Sequence, residues 1–220
     1  MPRRALIEHR PFLLVSIATA IAYYVLSNEE IPGLYLALLK ALPVAMLALY
    51  AQRRASGHDA SLIALALAFG AAGDLVLEFD LVIGGLTFVA GHAVAISLYL
   101  RNRRQSLKAS QSAAGIALIA LTPIITALIA FPRENWWLAT AYALVLGAMA
   151  AAAWRSRFPR YRVGLGAVLF VISDLLIFAR EADRLPAEIT EWLIWPIYSA
   201  AQFLIATGVV PTLRRDAGKS

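Results

Sequence analysis

Lys40, Asp74, Glu78, His92, Asp174, Tyr198 and Gln202 interrupt sequence that is otherwise almost wholly apolar. Two aspartates in such surroundings suit acid–base work. In a low-dielectric pocket, one carboxyl can hold a proton while the other stays ionised. The chain has no cysteine, which excludes thiolate nucleophiles, disulfide scaffolds and thiolate zinc sites together. No metal or cofactor is expected.

The elements that carry these residues are long. The chain has 220 residues, 60% hydrophobic and 15% charged, with a mean hydropathy of +0.69. Eight apolar runs each approach the length of a helix that crosses a ~30 Å hydrocarbon core. They cover Pro11–Ser27, Ile31–Ala51, Ser61–Glu78, Leu81–Leu100, Ala113–Phe131, Trp136–Trp154, Val163–Arg180 and Thr190–Val210. None alternates with period two, so helices fit and a β-barrel does not. Asn28, Glu29 and Glu30 follow the first run where a signal peptide would carry a small-residue cleavage site. The expectation is an all-α polytopic membrane protein with eight transmembrane helices, forming one integral-membrane domain over residues 1–220.

Charge gives the orientation. Sixteen of the 20 Lys and Arg residues fall before the first run, in alternate gaps, or in the tail. These include Arg3 and Arg4, Arg53 and Arg54, the group around Arg103, the group around Arg160, and Lys219. The other gaps hold only Arg133 and Arg184 among seven acidic residues. That alternation predicts both termini on the cytoplasmic side. It also accounts for the net charge of +6 without a nucleic-acid partner. Trp136, Trp137, Trp192 and Trp195 lie near the acidic-side helix ends, as an interfacial aromatic belt would. Gly73-Asp74-Leu75 in the third run echoes Ser173-Asp174-Leu175 in the seventh, as a parallel duplication of four helices would produce.

At ~1.5 Å per residue, Asp74 lies about 6 Å from the acidic-side helix end, Asp174 about 9 Å and Tyr198 about 10 Å. Lys40 lies about 14 Å in, and His92 and Gln202 about 16 Å. Five helices thus offer polar groups to one slab of the membrane. A charge at the bilayer centre costs from ~3 to more than ~10 kcal/mol, so these groups should face the protein interior and have partners. A buried structural network explains each of them singly, and a water-containing cavity explains the set. Glu78, one turn after Asp74, reads as a solvated interfacial carboxylate. Tyr198 and Gln202 share a helix face, and hydrogen bonding between helices alone could explain both. Lys40 is too deep to reach water comfortably and calls for a carboxylate partner. Pro43 and Pro196 each free a carbonyl one turn earlier and so could shape a cavity.

These segments resemble a family. Lys40-Ala41-Leu42-Pro43 is similar to the lysine-proline element of the YhhN family of lysoplasmalogenases. Gly73-Asp74-Leu75 resembles its first aspartate segment, and Phe88, Gly91-His92 and Tyr99 its next helix. Gly166 to Phe170 with Ser173-Asp174 resembles its second aspartate segment, and Tyr198 to Ile205 its last helix. The resemblance implies an ether hydrolase, independent of metal, that cleaves the vinyl ether of lysoplasmalogen to a fatty aldehyde and a glycerophospho-base. Asp74 and Asp174 would be the catalytic pair, and Lys40, His92, Tyr198 and Gln202 would bind substrate or tune them. The partners would be a lysophospholipid and membrane lipids, in a bacterial inner (plasma) membrane. Two other readings use the same parts. A proton-coupled transporter also needs membrane carboxylates, a lysine and broken helices. A non-enzymatic lipid-binding protein would keep its function without the aspartates.

Overall fold

The computed structural model describes residues 10–218. Arg3, Arg4, His9 and Lys219 lie outside the described residues. Among the described residues eight α-helices follow one another: α1 Arg10–Leu26, α2 Gly33–Arg54, α3 His58–Leu77 and α4 Leu81–Arg101. Then come α5 Ala109–Ala130, α6 Trp136–Arg155, α7 Leu165–Glu181 and α8 Ala187–Ala217. A π-helical turn, Arg160–Gly164, leads into α7. The described residues contain no strand, only an isolated bridge between Arg103 and Ser156. Without water to pair with, the backbone of an apolar run satisfies its N–H and C=O groups within itself, which selects the helix.

Seven of the helices are long and apolar enough to cross a membrane. The first, α1, has 17 residues. At ~1.5 Å per residue it spans about 25 Å, slightly short of the ~30 Å core. Large aliphatic side chains such as Leu14 and Leu128 face outward, 63% and 73% exposed. In water that would be costly, but towards lipid tails it is the expected surface. Trp136, Trp137 and Trp192 are exposed near the acidic-side ends, as the belt reading expects, whereas Trp195 is buried.

The chain divides into two compact units. One unit runs up to Val94 and includes the segment from Val209; the other is Ala95–Gly208. In the first unit, α2 packs against both α1 and α3. Glycines bring α3 and α4 close. A Cβ at Gly73 would lie 2.7 Å from the Phe88 ring, and one at Gly91 would lie 3.0 Å from Phe69 Cβ.

In the second unit α5 packs on α6, and both meet α7. A Cβ at Gly147 would come 2.7 Å from the Leu118 carbonyl, and one at Gly166 2.8 Å from that of Ala201. Loops in this unit are tied by their own arginines. Arg157 Nε donates to Asn102 Oδ1 at 2.7 Å, and Arg104 Nε donates to the Ser156 carbonyl at 2.8 Å. At the end of α7 the amides of Asp183 and Arg184 turn back to the carbonyls of Arg180 and Ala179, with Asp183 left-handed at φ 53°. This Schellman ending stops the helix. It also aims Arg184 at the end of α5, where it donates to the carbonyls of Ile129 and Phe131. Arg133 pairs with Asp183. The two cations that break the charge alternation are therefore committed to local structure.

Candidate functional site

The first unit gathers its polar residues near the acidic-side end of α3. Asp74 and Glu78 are one turn apart on one face of that helix. Asp74 is 2% exposed. Lys40 reaches across from α2, its Nζ 2.5 Å from Glu78 Oε1. The same Nζ lies 5.9 Å from the centroid of the Tyr23 ring on α1. Asp74 and Tyr23 both act electrostatically on Lys40. The lysine's carboxylate partner is thus Glu78, the residue read from sequence as solvated at the interface. Glu78 is exposed, in keeping with that reading, while Lys40 is half-buried. On α4, Phe88 fills the space beside Gly73, next to Asp74. His92 follows Phe88 by one turn, is buried, and has its ring centroid 6.3 Å from that of Phe88. Helix α2 runs unbroken through Pro43, and α8 through Pro196.

The second unit holds Asp174, 5% exposed on α7. Tyr142 of α6 donates its hydroxyl to Asp174 Oδ2 at 2.6 Å. Ser173 Oγ lies 2.9 Å from the Phe170 carbonyl and 3.3 Å from Asp174 Oδ1. The Tyr142 ring is itself held edge-on against Phe178 at 5.8 Å. These contacts orient the carboxyl and leave each oxygen with a lone pair to spare. Phe170, one turn before Asp174, packs edge-on to Tyr198 at 5.3 Å. Gln202 Nε2 donates to the Tyr198 hydroxyl at 3.1 Å. That bond lies within α8. Trp195 packs 5.7 Å from Tyr198 and so belongs to this cluster and not to the aromatic belt.

Of the residues singled out from sequence, Asp74, Asp174, His92, Tyr198 and Gln202 are all buried. Lys40 joins Asp74's cluster through Glu78, and Tyr198 and Gln202 join each other. Tyr23 and Tyr142 were not anticipated, and Ser173 was singled out only as part of a motif, with no role. Depth would have found two of them. Tyr142 is six residues into α6 and Tyr23 four from the end of the first run, about 9 Å and 6 Å deep, matching Asp174 and Asp74. Among the described residues no three of His, Asp and Glu converge as a metal-ligand set. The arrangement suits proton transfer by carboxyls held among aromatic walls.

The model of the YhhN family matches residues 35–209, from α2 to α8. No curated protein and no solved structure matches the chain.

Proposed function

The chain belongs to the YhhN family, and on that premise we propose that it is an intramembrane hydrolase that cleaves the vinyl ether bond of lysoplasmalogen. The observation that carries this reading is that both aspartates are buried in helices of a membrane protein, beside groups that hold or flank a carboxyl. One aspartic acid gives its proton to the alkenyl carbon once removed from the ether oxygen. The oxygen lone pair then closes an oxocarbenium ion. The other aspartate stabilises that cation and takes a proton from the water that captures it. The resulting hemiacetal collapses: the second aspartate's proton goes to the glycerol oxygen as its carbon–oxygen bond breaks, and the hemiacetal hydroxyl gives its proton to the first carboxylate. One water is consumed, and a fatty aldehyde and a glycerophospho-base leave. His92, Tyr198 and Gln202 bind the water or the polar part of the substrate in this scheme, and Lys40 with Glu78 sets the charge around Asp74.

An alkyl-chain substrate resident in the bilayer gives such an enzyme its reason to be intramembrane. The alternating basic gaps support an inner-membrane location with both termini cytoplasmic. The test is incubation of the purified protein with lysoplasmalogen and with its saturated ether analogue. Aldehyde from the vinyl ether alone is expected, because only the alkene can be protonated at carbon. Cleavage of neither, together with substrate uptake in proteoliposomes, would replace the hydrolase with a transporter.

A further inference from the structure

A groove of about 350 Å³ opens on the second unit between α5, α6 and α7. It runs along α5 from Ala114 to Ile125, with Trp154 of α6 and Val168 and Leu175 of α7 on its sides. The one hydroxyl in its wall, Thr122, is spent on the Leu118 carbonyl at 2.6 Å. Eleven residues of helix at ~1.5 Å each make the groove about 16 Å long, half the depth of a ~30 Å hydrocarbon core. Trp154, one residue before the end of α6, brings it to the basic ends of the helices, and along α5 it runs from the sixth residue of the helix to the seventeenth.

The basic end has its own chemistry. The Arg160 guanidinium stacks over the Trp154 ring, 5.7 Å from its centroid. Arg160 Nε and Nη2 and Trp154 Nε1 are buried without a hydrogen-bond acceptor. Arg155 lies across the start of α5, its Cδ 2.7 Å from where a Cβ on Gly115 would stand. Neither arginine is paired with a carboxylate among the described residues. Buried donors without acceptors are costly until an acceptor arrives. Arg160 opens the π turn, a distortion that helices keep mostly at functional places.

We propose that this groove seats one acyl chain of an anionic phospholipid from the leaflet at the basic helix ends, with the lipid phosphate held by Arg155 and Arg160. A neutral lipid would fill the groove and leave the cations unanswered, and free phosphate would do the reverse. The site uses neither aspartate and stands independently of the hydrolase reading.

The probe is phosphatidylglycerol with a photoactivatable diazirine near its acyl terminus, present in trace in phosphatidylcholine nanodiscs that hold the full chain. After illumination, adducts should concentrate on the peptides around Ile125 and Leu175. Unlabelled phosphatidylglycerol should compete at least tenfold better than added phosphatidylcholine or inorganic phosphate. Arg155→Gln/Arg160→Gln should cut labelling at least tenfold while thermal unfolding in phosphatidylcholine alone stays unchanged. Adducts spread evenly over the lipid-facing helices would overturn the proposal, as would equal competition by phosphatidylcholine in the wild type. Both readouts are independent of whether any ether is hydrolysed.

Discussion

Replacing Asp174 by asparagine keeps the acceptor that Tyr142 meets and removes the titrating proton. Asp174→Asn and Asp74→Asn should each lower aldehyde release by at least the ~10²-fold typical of lost acid–base catalysis. Folding should change little, since a buried amide costs less than an unpaired charge. Tyr142→Phe should be milder, on the order of tenfold, for the loss of one hydrogen bond to a carboxyl. Turnover at matched folded concentration measures all three, and near-wild-type rates in either asparagine variant would remove the aspartate assignment. Lys40→Met strands Glu78, so it should lower the unfolding temperature, and Lys40→Met/Glu78→Gln should recover part of the loss. If the double variant were no more stable than Lys40→Met, the pair would have no energetic meaning. Single residues were legible where their polarity clashed with the helix around them, as with Asp74 and Asp174. Tyr142 escaped because a tyrosine is at home in an apolar helix and its hydroxyl shows no preference until a partner stands opposite. The pairing of Glu78 with Lys40 escaped because position at a helix end says nothing of a lysine arriving from another helix.

The helices were legible to within about four residues, because an apolar run bounded by charges leaves the backbone no alternative, except that α8 continues past Val210 to Ala217. What their sequences did not disclose is where they touch. Close approach rests on single glycines, and their neighbours differ in kind. At Gly147 and Gly166 an added methyl meets a backbone carbonyl, which cannot move aside. At Gly73 it meets the Phe88 ring, which a smaller residue would vacate. Gly147→Ala and Gly73→Ala should both destabilise, by the ~1–3 kcal/mol of overpacking. Only the second should be rescued by a neighbour, in Gly73→Ala/Phe88→Leu. Thermal unfolding in one detergent decides this, and failure of that rescue would mean that Phe88 is not what limits α3 and α4. The π turn was equally hidden, since Arg160-Tyr161-Arg162-Val163-Gly164 carries no residue type that asks for it.

Asp74 belongs to one compact unit and Asp174 to the other, so the cooperation proposed for them can be tested only on the whole molecule. Members of one catalytic unit are non-additive. Asp74→Asn/Asp174→Asn should therefore be scarcely slower than the worse single variant, whereas multiplied losses in turnover would mean that the aspartates act separately. Reporter fusions after Ala217 and in the loop at Asp183 should report opposite sides of the membrane. The same side for both would undo the orientation drawn from the basic gaps. Membrane residence and helix number could be read from hydropathy and charge alone. The division into units could not, because it falls inside α4 and α8 and not at any gap. That division has a consequence for biosynthesis. Chains usually complete their N-terminal parts first as they leave the ribosome. Here the unit that begins the chain also needs Val209, Val210 and Leu213, all buried within α8. The segment translated first is thus the last to be finished, and a nascent chain halted at Gly208 holds every residue of the later unit and an incomplete version of the earlier one.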